Sequence, residues 1–218
     1  IGLKHINLKK ASAKINARLQ KEQTQAAPTQ VNKEVVAKLT DADFVHLHNH
    51  SQFSILQSTI SIKDLVVAAA KKGMPAVALT DHGNMMGAFH FVSAVGNHNK
   101  AVKSQHEQAE EAGLEKKGKL IKPIIGCEFF VCENHTDKTR KDNGYQIVLM
   151  AKTKKGYHNL AKLSSAAFTE GFYYLPRIDK KLIEHYKEDL ICLTGNLYGE
   201  VPSKILNIGE NQAEEALL

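Results

Sequence analysis

Cysteine is scarce in this 218-residue chain: there are three, Cys127, Cys132 and Cys192, an odd number with no tight pair. That argues against a disulfide scaffold and makes a reducing cytoplasm the simplest setting. Long apolar runs are missing too. One of the longest, Leu-Val-Val-Ala-Ala-Ala at 65–70, falls far short of the ~20 residues of a membrane-spanning helix, so no membrane partner is expected. The first residues lack the apolar stretch of a secretory signal. What is present is ordinary for a soluble globular protein, with 43% hydrophobic and 24% charged residues. The length suffices for one large domain, or for a domain plus an extension.

Acidic residues are sparse at the start of the chain. Residues 1–40 hold eight Lys and Arg against Glu22 and Glu34, which accounts for the whole net charge of +6. The remainder carries 21 basic and 21 acidic residues and is formally neutral. Residues 20–29 are polar, contain Ala26-Ala27-Pro28 and show no apolar periodicity. The expectation is a basic linker or arm over 1–40, coming from an upstream region, and a domain over 41–218. A basic arm can touch nucleic acid, and a solvated linker is an equal reading. Ile1 in place of a methionine, and a helix pattern at 211–218 that stops midway, read as a piece of something longer.

Behind the arm, strand and helix patterns alternate. Ser61-Ile-Lys-Asp64 reads as a capping box, with Ile62, Leu65, Val66 and Ala69 at helical spacing behind it. Gly73 and Pro75 end that helix. Further helices are expected over 86–97 and 156–170, and strands over 45–48, 76–79, 124–131, 146–150 and 190–193. Residues 100–122 read as a charged surface excursion, helical in part or not at all, and 133–144 as a polar loop. Such alternation argues for a mainly parallel α/β fold.

Two of the strand patterns end in metal-capable side chains, at Phe44-Val-His-Leu-His-Asn-His50 and Ala76-Val-Ala-Leu-Thr-Asp-His-Gly83. Alternate strand residues share a face, so His48 and His50 project together. Parallel α/β folds place chemistry at strand ends, and imidazoles gathered there suit zinc, iron or manganese.

The ordered motifs carry a resemblance. His48-Asn-His-Ser-Gln-Phe-Ser-Ile-Leu56 comes first, then Thr80-Asp-His-Gly-Asn-Met-Met-Gly-Ala88 and Lys122-Pro-Ile-Ile-Gly-Cys-Glu128. Gly156-Tyr-His-Asn-Leu160 and Glu170-Gly-Phe-Tyr-Tyr174 follow. From about residue 44 onward the chain resembles the polymerase and histidinol phosphatase (PHP) domain, in the form carried by alpha subunits of bacterial DNA polymerase III. The resemblance implies a distorted seven-stranded βα barrel, truncated here at its C-terminus. In complete members that barrel holds a trinuclear metal centre. Position by position, His48, His50 and His82 match metal ligands, and Glu128 matches a carboxylate that bridges two metals. Glu128 and His82 would be the catalytic groups of an active member.

Three positions depart from the pattern. Gln57, Gln146 and Asn196 stand where active members carry Asp, His and Cys. Amides are neutral and poor ligands for zinc-like ions, and they suit a pocket whose polar groups bond to one another. The resemblance therefore implies a structural and interaction module of a replicative DNA-directed DNA polymerase, with a degenerate site. One divalent metal, zinc or manganese, would be held by His48, His50 and Glu128, and His82 would pair with a neighbouring polar group. Magnesium would serve the polymerase domain outside this segment. DNA, the proofreading exonuclease and the sliding clamp would be partners of the whole protein. The alternative is an active metal-dependent phosphoesterase or 3′–5′ exonuclease. A stand-alone histidinol-phosphate-type phosphatase is a weaker third reading.

Overall fold

A computed structural model of the chain describes residues 44–217. The basic arm expected over 1–40 and the domain start expected at 41 lie outside the described residues.

The first described helix, α1 (Ile62–Lys71), forms for the reason its sequence suggests. The Ser61 hydroxyl accepts from the Asp64 amide at 3.1 Å and donates to the Asp64 carboxylate at 2.6 Å. At the other end the amides of Gly73 and Met74 reach back to the carbonyls of Ala70 and Ala69. Gly73 takes the left-handed φ of 66° that this Schellman ending requires. The buried stripe Ile62, Leu65, Val66 and Ala69 packs with Val77 and Leu79 of β1 (Ala76–Leu79) and with Phe91 and Val95 of α2 (Ala88–Glu111). Helix α2 runs well past the expected residue 97. Only Ala88, Phe91, Val95 and Val102 of it are buried, so its second half is held by helix-favouring Gln, Glu, Lys and Ala and not by an apolar stripe.

Strand β2 (Lys122–Cys132) organises the rest. Its first half pairs in parallel with β1, and its second half pairs in parallel with β4 (Arg177–Asp179). The other edge pairs antiparallel with β3 (Tyr145–Ala151), which pairs antiparallel with β5 (Leu190–Leu193). The fold is therefore mixed α/β, and the expectation of a mostly parallel sheet needs correction. The link from β2 to β3, residues 133–144, contains no helix. A parallel connection takes a crossover, usually helical, so this short link turns the chain back on itself.

One face of β2 and β3 presents Cys127, Phe129, Val131 and Leu149, with Ile178 of β4. These residues pack on Leu160, Leu163 and Ala167 of α3 (Lys154–Thr169) as a second core. Three shorter helices follow, α4 (Lys180–Tyr186), α5 (Glu200–Asn207) and α6 (Glu210–Leu217). The opposite sheet face carries Glu128, Phe130, Gln146 and Val148, which the register Glu128↔Val148 and Phe130↔Gln146 sets side by side.

The expected first strand, 45–48, is not a regular ladder strand. The segment does run along β1: the amides of Ala78 and Thr80 donate to the carbonyls of His46 and Asn49. Three residues on one side thus span two on the other. The Asn49 side chain fills the break, donating to the carbonyls of Ala78 and His46 at 2.9 and 3.1 Å.

Candidate metal centre

The site lies where β2 changes partner. Chain order carries β1 on to His82, which bridges Glu128 in parallel, and the same edge passes to β4 from Phe130 onward. At that junction a Cβ on Gly83 would stand 2.7 Å from Cγ of Pro176, just before β4. Gly83 also has a φ of 69°, so glycine is demanded twice over.

Three imidazoles converge on one oxygen of Glu128, whose residue is 1% exposed. His48 Nε2 is 3.0 Å from Oε2, His50 Nε2 hydrogen-bonds the same oxygen, and His82 Nδ1 lies 3.6 Å from it. Burial alone would push the Glu128 carboxyl up, but the hydrogen bonds from His48 and His50, with His82 close behind them, outweigh it and hold the group far below the usual carboxylate range. The hydrogen bond to Glu128 raises the His50 pKa against the opposing effect of its own burial.

The donor atoms of His48, His50 and Glu128 all lie within 4.8 Å of one another, the metal-capable trio among the described residues. His82 stands at its margin. Its Nδ1 is buried without a hydrogen-bond partner, and its ring meets Phe130 edge-on at a centroid distance of 4.4 Å. The polar group that His82 faces is Glu128 itself, 3.6 Å from Nδ1. A carboxylate oxygen offers two lone pairs, so three imidazole nitrogens crowd it and one is left over. Two imidazoles and a carboxylate form a donor set that fits a zinc-like divalent cation.

The three departing positions fare differently from one another. Gln57 is exposed, beyond Leu56 with its φ of 64°. Asn196 is exposed in the turn after β5, where its Oδ1 accepts from the Tyr198 amide at 2.8 Å. Gln146 alone of the three lies on the Glu128 face, and its Oε1 is buried without a hydrogen-bond partner. None of the three amides bonds another or any member of the histidine cluster.

Asp81 is the functional residue that sequence reasoning passed over. Buried at the end of β1, it accepts from the Ser51 amide at 2.6 Å and from the hydroxyls of Ser51 and Ser54 at 2.8 and 2.7 Å. The Ser54 oxygen in turn accepts from the His82 amide at 3.0 Å. One carboxylate thus fixes the loop after His50 and the backbone of His82 together, the outer-shell task that orients metal ligands. The available signal was the motif itself: Asp81 directly precedes a candidate ligand, and Ser51 directly follows another.

A buried carboxylate with converging imidazoles, set at a strand junction in a mixed sheet, defines an α/β domain with a site that could hold a metal ion. More narrowly, the chain belongs to the PHP domain family, whose model matches residues 46–218. It is 39% identical over 178 residues to the alpha subunit of DNA polymerase III from Chlamydia muridarum, covering 80% of this chain and 12% of that one. The Aquifex aeolicus alpha subunit is 42% identical over 183 residues, covering 79% and 14%. The chain thus spans about an eighth of the length of the curated relatives it matches. A solved structure from Bifidobacterium adolescentis, described as a candidate metal-dependent phosphoesterase, matches at 19% identity and a TM-score of 0.33. That match covers 58% of this chain and 33% of the other. Among the described residues no helix is long and apolar enough to cross a membrane.

Proposed function

We propose that this domain is the PHP part of a replicative DNA polymerase alpha subunit and that it binds one divalent cation, zinc or manganese, through His48, His50 and Glu128. On this reading it braces the polymerase and does not hydrolyse phosphoesters. The fate of the three amides carries the reading. Two face solvent, the third is neutral, and the described residues offer a single donor trio. Clamping both the attacking and the leaving oxygen of a phosphoester takes two metals about 3.5–4 Å apart. One bound cation would supply Lewis acidity toward a phosphoryl oxygen. Glu128 would supply the anionic charge, His48 and His50 the neutral nitrogens, and Asp81, through Ser51 and Ser54, the rigidity.

The rest of the proposal concerns the whole protein. DNA binding, magnesium-dependent nucleotide addition, contacts with a proofreading exonuclease and a sliding clamp, and a cytoplasmic location would belong to the full polymerase. The five described strands would form part of a seven-stranded barrel, within a domain over 41–218 behind a connector.

A second reading, an active phosphoesterase or 3′–5′ exonuclease, draws on two buried atoms without partners, His82 Nδ1 and Gln146 Oε1. Metal analysis of the purified chain, with hydrolysis assays on a model phosphoester and on DNA ends, separates the two. The expected result is about one cation per chain and hydrolysis near background with added zinc or manganese. Strong metal-dependent hydrolysis that is lost in His48→Ala would overturn the structural reading.

A further inference from the structure

We infer that the turn leading into β4 is a stacking shelf for unpaired nucleic-acid bases, with Phe172 and Tyr174 taking base faces and Lys141 an adjoining phosphate. The inference rests on the proposed place of this domain in a DNA-handling protein.

Position comes first. The register Phe130↔Arg177 puts Arg177 on the same sheet face as Phe130 and Glu128. The Arg177 guanidinium lies 5.4 Å from the centroid of the Tyr173 ring and donates to the carbonyls of His135, Asp137 and Asp142. The turn holding Tyr173 and Tyr174, and the loop holding Lys141, therefore border the face on which the histidine cluster sits. Pro176, two residues after Tyr174, packs against Gly83 beside His82.

Exposure and strain come next. Phe172 and Tyr174 are 47% and 69% exposed, so neither ring is a core requirement. Phe172 stacks on Phe168, itself partly exposed, at a centroid distance of 6.3 Å and an interplanar angle of 19°. Tyr174 holds a left-handed φ of 65°, a costly backbone for an aromatic residue, and one that over-determined surroundings keep at functional sites. The surroundings here are the Tyr173 amide bond to the Leu175 carbonyl, at 3.1 Å, and the edge-on Tyr173 ring at 4.7 Å. The Lys141 ammonium stands 5.2 Å from the Tyr174 ring centroid. Aromatic faces with a cation beside them are the elements that hold single strands without reading sequence.

Charge narrows the mode. Arg140 is paired with Glu133 and Asp137, and Asp142 and Glu170 lie close to the shelf in sequence. Binding should therefore come mainly from stacking, with one or two phosphates neutralised. The logarithmic salt slope should then be shallow, between about −0.7 and −1.4.

The test is fluorescence anisotropy of a labelled thymidine oligonucleotide with the full chain, in EDTA so that metal content and hydrolysis play no part. Tyr174→Asn tolerates the left-handed backbone but lacks the ring, and it should weaken binding about tenfold. Phe172→Ala should do the same, Tyr174→Phe should bind like the parent, and duplex of equal length should bind at least several-fold more weakly. Equal binding by parent and Tyr174→Asn, absence of binding, or a slope steeper than about −3 would overturn the shelf. So would self-association that Tyr174→Asn abolishes, which would reassign the rings to protein docking. Because binding is read without metal, its failure is distinguishable from a failure of the metal and hydrolysis assays.

Discussion

Replacing Asp81 by Asn is the sharpest single perturbation of the candidate centre. The change keeps the shape of the side chain and one acceptor oxygen, but it turns Oδ2 into a donor that faces the Ser51 hydroxyl, 2.8 Å away. The Ser51 hydroxyl can rotate to accept, so the net loss is one charge-assisted bond and the anionic character of the other two. Hydrogen bonds to charged groups contribute roughly 1.5–3 kcal/mol each, so Asp81→Asn should cost about 2 kcal/mol. With a urea slope of about 2 kcal/mol/M for a domain of this size, the unfolding midpoint should fall by about 1 M. Asp81→Ala strands the buried Ser51 amide and leaves a cavity as well, and it should cost about 4 kcal/mol. Cation affinity, measured by competition with a chromophoric chelator, should drop about 10–100-fold in Asp81→Asn, because the common anchor of the loop after His50 and the His82 backbone loses its charge and is weakened. A midpoint shift under about 0.2 M with unchanged cation affinity would refute the idea that Asp81 organises the ligands.

Glu128→Gln should reduce bound zinc or manganese from about one per chain to background in elemental analysis, because the two imidazoles of His48 and His50 without the anion lose most of their hold. Asp179 gives a pH signature. Burial pushes its carboxyl up, but hydrogen bonds from the His135 ring and from the amides of Leu182 and His135 hold it below the usual carboxylate range. The unfolded state therefore binds the proton more readily, and this stabilisation is present above the unfolded pKa of about 3.9 and lost as pH falls through the lower folded value. Asp179→Asn, which retains a helix cap, should be about 1.5 kcal/mol less stable than the parent at pH 6–7 and converge with it near pH 2 in urea titrations. Gly83→Ala should cost roughly 2–3 kcal/mol through left-handed strain and the contact with Pro176. Combining it with Pro176→Ala should recover part of that loss, a non-additivity that a double-mutant cycle reads directly.

Much of the architecture was legible because local signals agreed with tertiary demand. The capping box at Ser61 and the stop at Gly73 bound α1, and the apolar runs at 76–79 and 190–193 are strands with those limits. Failures occurred where a side chain replaced a pattern. Residues 45–48 read as a strand, but the Asn49 amide takes over a ladder position there. Strand β4 was invisible because it is three residues long and opens with Arg177, a charge that reads as surface yet is 1% exposed. The reversal between β2 and β3 depends on what the 133–144 link lacks, and strand composition does not report that. At the site, His48, His50 and Glu128 do come together, with His82 at the margin. The contrast between an inward Gln146 and outward Gln57 and Asn196 depends on long-range packing that spacing alone does not encode.

The buried Arg177 carries a consequence for how this domain can vary. Its guanidinium reaches the carbonyls of His135, Asp137, Asp142 and Gly171, groups that every amino acid supplies. Arg177 thus recognises the 133–144 loop by its path and not by its spelling. Substitutions at its exposed positions should be tolerated so long as the chain still presents those oxygens, whereas removing a single residue would withdraw acceptors from a buried cation. Apart from His135, whose ring bonds Asp179, and Gly144, whose φ of 68° and closeness to the Val131 carbonyl leave no room for a Cβ, the loop is constrained in length more than in letters, and the cost of breaking that constraint falls on β4 and the junction beside Glu128.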